Sequence, residues 1–143
     1  MNRIAAVGAR TVTMAILAGS AVTAGAATAQ AGGDLYGAIA YSDGTGIAAA
    51  ATNFGDSRSA DTAARGNCGR GDCRVVLDFH NGCGALAQGA DHRVSAGWGP
   101  TKVEAEQRAR DFLGPSAPPF PDLGSAAPRA ATIALSTCTS NAH

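Results

Sequence analysis

Apolar and polar positions alternate most clearly over Arg74–Phe79, where Val75, Leu77 and Phe79 fall on one face. A period of two predicts a strand with that face inward. Two more short apolar stretches, Tyr36–Ser42 and Gly46–Phe54, are split by "DGTG", a hairpin signal. The period changes after Gly99. Ala105, Ala109, Phe112 and Leu113 form one helical stripe, and Thr101-x-x-Glu104 is a capping box. Glu104–Arg108 and Glu106–Arg110 are i,i+4 pairs in the favourable orientation, and Gly114-Pro115 stops the helix. A shorter helix is expected from Ser57, as N-cap, to about Gly66. Residues 114–130 hold five of the six prolines, so neither helix nor strand continues there, and an exposed loop is expected. Its Pro-x-x-Pro matches read as incidental to that loop.

These elements occur twice. "YGAIAYS" matches "CGALAQG", with Gly-Ala-[Ile/Leu]-Ala in register. Phe54-Gly55 and Trp98-Gly99 each precede a helix, and "RVVLDFHNGC" and "ATIALSTC" each close a unit. The expected fold class is therefore α+β: a duplicated ββαβ unit forming a mainly antiparallel sheet with two helices packed on one face. Trp98 is expected in the core, with an exposed sugar-stacking platform as the alternative.

The amino terminus follows a different logic. Arg3 and Arg10 precede an apolar, small-residue segment over roughly residues 11–26, followed by Ala27-Thr28-Ala29 and Ala29-Gln30-Ala31. This is the pattern of a secretory signal peptide over residues 1–31, cleaved after Ala29 or Ala31. Only Met14, Ile16, Leu17 and Val22 in it are strongly apolar, so no stable membrane anchor is expected after cleavage. Residues 32–143 then form a single exported domain. Loss of Arg3 and Arg10 leaves nine basic residues against eleven acidic ones, a net charge of −2. No basic run or basic–aromatic interleaving is present, which argues against nucleic acid and against a polybasic membrane patch.

Four cysteines in an exported chain imply two disulfides. Cys68 and Cys73 flank one turn, and their repeat counterparts, near Phe112 or Leu113 and near Pro128, both lack a thiol. Cys83 and Cys138 stand at equivalent unit ends. The duplication therefore pairs Cys68 with Cys73 and Cys83 with Cys138. The first pair encloses Arg70-Gly71-Asp72, an adhesion-type tripeptide that also reads as an ordinary polar turn. Asp78, His80, Asp91 and His92 are the available acid–base or metal-binding groups. They supply too few ligands at suitable spacing for a metal centre, and no Gly-x-Ser-x-Gly elbow is present. No catalytic residue, cofactor site or metal site is assigned.

Together "LYGAIAYS", "GDSRSADTAARGNC", "CRVVLDFHNGCGALA" and "GWGPTKVEAE" resemble DUF4189, a family of small secreted actinobacterial domains of unknown function. The resemblance spans nearly all of Leu35–Cys138. It implies export and carries over no activity or catalytic residue. The expectation is a secreted, monomeric, non-enzymatic domain that binds an unknown protein or cell-envelope partner. The alternatives are a small enzyme with its site between the repeats, and a host-directed adhesin using the Arg70-Gly71-Asp72 turn.

Overall fold

A computed structural model describes residues 32–118 and 127–143. The signal-peptide reading of residues 1–31 and the middle of the proline-rich loop lie outside the described residues. The elements are β1 (Tyr36–Ser42), β2 (Ala48–Phe54), α1 (Ser57–Cys68), β3 (Cys73–His80), β4 (Cys83–Gln88), β5 (Val94–Gly99), α2 (Lys102–Leu113) and β6 (Thr132–Cys138). The two ββαβ repeats are thus plain in the element order.

Each repeat forms its own antiparallel three-stranded sheet, ordered β2-β1-β3 and β5-β4-β6. Registers identify equivalent positions. Ala38 faces Ala51 and Asp78, and Ala85 faces Gly97 and Ser136. Both sheets shift register at the same place, after Ile39 in β1 and after Leu86 in β4.

The repeated Gly-Ala-[Ile/Leu]-Ala motif explains the layering. Side chains alternate across a strand. Ala38 and Ala40 therefore meet Ala60, Ala64 and Cys68 of α1, while Ala85 and Ala87 meet Ala105 and Ala109 of α2. Ile39 and Leu86 point the other way, into one cluster with Tyr41 and Phe79 that also draws Val94, Ala96 and Leu135. The result is helix, sheet, sheet, helix. The antiparallel pairing and duplication stand, but the six strands do not join into one sheet carrying both helices on one face. Each motif is apolar on both sides, so each sheet needs a helix on one face and the other sheet on its second.

Glycines allow these layers to close. A Cβ on Gly37 would lie 2.4 Å from the Phe79 ring, and one on Gly84 would lie 2.6 Å from it. Phe79, 3% exposed, fills that space from β3. A Cβ on Gly97 would meet the Ala109 amide nitrogen at 2.3 Å and the Ala105 carbonyl at 2.5 Å, so α2 rests directly on the β5 backbone. Gly97→Ala should cost roughly 2–3 kcal/mol, because backbone rather than a flexible side chain must move. Urea denaturation of the variant checks this, and an unchanged midpoint would sink it.

The helix ends depart slightly from the expected ones. Asp56, not Ser57, caps α1, accepting from the Ser59 amide at 2.8 Å. The helix runs past Gly66 to Cys68 because Gly69 takes the left-handed C-cap conformation at φ 66°. The capping box of α2 is present, with Glu104 N donating to Thr101 Oγ1. Glu106 pairs with Arg110 at 3.7 Å. Phe112, expected in the apolar stripe, is 73% exposed.

The bulge corrects the reading of β3. Val75 packs on the α1 side, whereas Val76, Leu77 and Phe79 join the inter-sheet cluster. The extra residue breaks the simple alternation. After β6 the chain crosses back to repeat one: Ser140 N donates to Asn53 Oδ1 at 2.7 Å, and Asn141 Nδ2 to Asn81 Oδ1 at 2.6 Å.

Candidate functional site

The disulfides are Cys68–Cys73 and Cys83–Cys138. The second joins residues directly opposed on β4 and β6. Cys83 and Cys138 are thus cross-strand partners rather than equivalent unit ends. The equivalent cross-strand pair in repeat one is Tyr36 and His80. Where Cys68 and Cys73 are bonded, the matching helix end and strand entry of repeat two bring Leu113 and Ala131 into one apolar cluster. Apolar packing stands there in place of the covalent staple.

The Arg70-Gly71-Asp72 turn is used internally. The Asp72 carboxylate accepts from Ser42 Oγ at 2.8 and 2.9 Å and from the Gly44 amide at 2.8 Å. Those bonds, the Gly44 amide first and Ser42 next, hold its pKa below the usual value. The carboxylate needed by an adhesion receptor is therefore fastening the β1–β2 hairpin to the stapled turn.

Asp78, His80, Asp91 and His92 do not converge. Asp91 and His92 lie at the β4–β5 hairpin, in an open cleft of about 540 Å³ lined also by Asp43, Arg74, Arg93 and Phe112. Each arginine there is already matched: Arg74 with Asp43 at 2.7 Å, and Arg93 with Asp91. His92 has a left-handed backbone, φ 65°. Among the described residues no group of three or more His, Cys, Asp or Glu side chains is placed to hold a metal ion.

Asp78 instead meets Asp61 of α1. The symmetric position explains why this is unusual. In repeat two Ser136 Oγ donates to Glu106 Oε1 at 2.8 Å. Asp78 stands at the place of Ser136, so repeat one sets carboxyl against carboxyl. Asp61 Oδ1 is buried with no hydrogen-bond donor facing it, and Asp61 Oδ2 lies 4.0 Å from Arg65. A bond between two carboxyls needs a proton. Asp78 is pushed up to about 6, first by that bond to Asp61, then by desolvation, against the pull of Arg65. An acid whose folded pKa is raised contributes stability below its unfolded value and loses it as pH rises through the folded one. The melting temperature of the native chain relative to Asp78→Asn should therefore fall between pH of about 4 and about 6. Parallel thermal melts across that window check it, and a constant difference would rule out the shared proton.

At the opposite end from the cleft, side chains of both repeats form one row. Tyr36 and His80 rings lie 5.7 Å apart, and His80 and Trp98 rings 6.3 Å apart with planes inclined by 29°. The Arg108 guanidinium sits 5.7 Å from the Trp98 ring, and Arg108 Nη1 donates to the Trp98 carbonyl at 2.6 Å. Trp98 is 40% exposed. It is therefore not the core residue expected from its place in a strand. Opposite Gly84, at the end of β5, it leaves the inter-sheet space that Phe79 occupies and reaches the end of β3. In the sequence His80 reads only as a possible base or ligand. Its role in an aromatic row was hidden because its neighbours are remote in sequence.

The model of a domain of unknown function, DUF4189, matches residues 36–115 of this sequence, which takes in both hairpins, both helices and the Trp98 row. The chain belongs to the DUF4189 family. Protein Rv1269c and protein MT1307 of Mycobacterium tuberculosis, and protein Mb1300c of Mycobacterium bovis, are each 38% identical to this DUF4189 chain over 81 residues. That alignment covers 57% of the chain and 63% of each relative. No solved structure matches it. No helix among the described residues is long and apolar enough to cross a membrane. Two disulfides fit an oxidising compartment outside the cytoplasm.

Proposed function

We propose that this DUF4189 chain is an exported, non-enzymatic binding domain of the cell envelope or extracellular space, and that its contact surface is the row Tyr36, His80, Trp98 and Arg108. One observation carries this reading: a tryptophan that the core could have buried stands 40% exposed, within an aromatic and cationic row built from both repeats. Trp, Tyr and Arg give large contact energies for little conformational cost. The row sits on strand ends fixed by ladder hydrogen bonds and by the neighbouring Cys83–Cys138 bond, so it is held before a partner arrives. Both disulfides and the signal-like leader support export.

The test is fractionation of cells expressing the full chain, followed by retention of the recovered, oxidised protein on isolated envelope material. The protein should be found outside the cytoplasm. Trp98→Ala should lower retention about tenfold, corresponding to roughly 1.4 kcal/mol. A cytoplasmic, reduced protein, or retention indifferent to Trp98, would overturn the reading.

A further inference from the structure

Resting on that reading, we propose that the row binds a glycan chain lying along the surface and bearing carboxylate groups. The first argument is shape. The cleft and the smaller cavities beside α2 and the Cys83–Cys138 bond are lined by other residues. A compact small molecule is usually held in a concave pocket. An open row suits a polymer that meets it ring by ring.

The second argument is chemistry. The face of an aromatic ring carries negative potential, and the C–H face of a pyranose offers weakly positive hydrogens to it. Three rings from β1, β3 and β5 stand in succession, with 5.7 and 6.3 Å between centroids. A protein partner would need about 800 Å² on each side around an apolar centre. The large hydrophobic side chains exposed among the described residues are Trp98, Val103 and Phe112, and only Trp98 belongs to the row. With Trp98 as its one exposed large hydrophobic side chain, the row lacks such an apolar centre.

The third argument is charge. Arg74 and Arg93 in the cleft are each matched by an aspartate, and Arg65 and Arg110 by an acid one helical turn away. Arg108, like Arg58, Arg70 and Arg129, has no carboxylate within 4.0 Å among the described residues, but it is the one set against the Trp98 ring, and its bond goes to the Trp98 carbonyl. Its remaining donors can receive a planar anion, for which a guanidinium is well shaped. A carboxylate on the glycan supplies it.

The experiment uses the full chain in oxidised form. The probes are insoluble bacterial peptidoglycan freed of its stem peptides, which leaves the lactyl carboxylates on its glycan free, and chitin, a related N-acetyl glycan without them. Wild type should be retained on both, more strongly on peptidoglycan. Trp98→Ala should weaken both by about tenfold, Trp98→Tyr should restore most of the loss, and Arg108→Gln should weaken peptidoglycan alone by about threefold. Val103→Ser, on the exposed side of α2, should bind as wild type. Retention on envelope material that disappears after protease treatment of that material would assign the row to a protein partner, overturning the glycan while leaving the binding domain in place. Failure to bind any envelope material would remove both. Equal retention of wild type and Arg108→Gln on peptidoglycan would overturn the carboxylate.

Discussion

Replacing Cys83 and Cys138 together by alanine should lower the stability of the folded chain by about 4 kcal/mol, whereas replacing Cys68 and Cys73 should cost about 2 kcal/mol. The difference comes from loop length. The first bond spans 55 residues of sequence and the second spans 5. A longer closed loop removes more conformations from the unfolded chain. The long bond also fastens β6 to β4 beyond the proline-rich connection. Domains of this size are stable by about 5–15 kcal/mol, so the loss is a large share of the whole. In thermal denaturation it should appear as a fall on the order of 20 °C. Equal losses for the two pairs, or the larger loss for Cys68–Cys73, would sink the ranking.

Phe79→Ala should cost about as much, roughly 4 kcal/mol. Phe79 is one of the two buried aromatic rings between the sheets, with Tyr41, and it rests against both Gly37 and Gly84. Its symmetric counterpart on β6 is Thr137, paired with Gly84 as Phe79 is with Gly37. One ring therefore fills a space that two glycines leave open, and its removal creates a cavity that rigid sheets close poorly. A second substitution isolates the cause. Gly37→Ala should be strongly destabilising alone, since its Cβ would lie 2.4 Å from the ring, but much milder combined with Phe79→Ala. Denaturant titration of both singles and the double supplies the comparison. Simple additivity would mean that glycine and ring do not share that space.

Much of the fold was legible because the two repeats carry the same local signals. Gly-Ala-[Ile/Leu]-Ala, the hairpin turn and the capping box at Thr101 each act over a few residues. The division into two sheets was not legible. It depends on both faces of β1 and β4 being apolar, which reads equally well as one sheet buried on both sides. The bulge at Val76 was hidden too, since Val75, Val76 and Leu77 suit either alternation. The site was the least readable part. Tyr36, His80, Trp98 and Arg108 come from four elements, and no spacing along the chain announces their meeting. Asp78 reads as a possible base, but its partner Asp61 lies on another element, and no motif along the chain joins the two.

The cluster between the sheets has a consequence for descent. A chain holding one repeat alone would leave Ile39, Tyr41 and Phe79 facing water. A second copy related by a two-fold rotation would cover them. The present chain carries both copies of the repeat in one molecule. Fusion frees each position from having to serve in both subunits. A phenylalanine can then stand on one side of the seam and a threonine on the other. A carboxyl pair can replace a carboxyl–hydroxyl pair, and two aromatic rings can take the place that the other half gives to a disulfide. The asymmetry that builds the aromatic row is open to a tandem chain and closed to a symmetric pair of half-length ones.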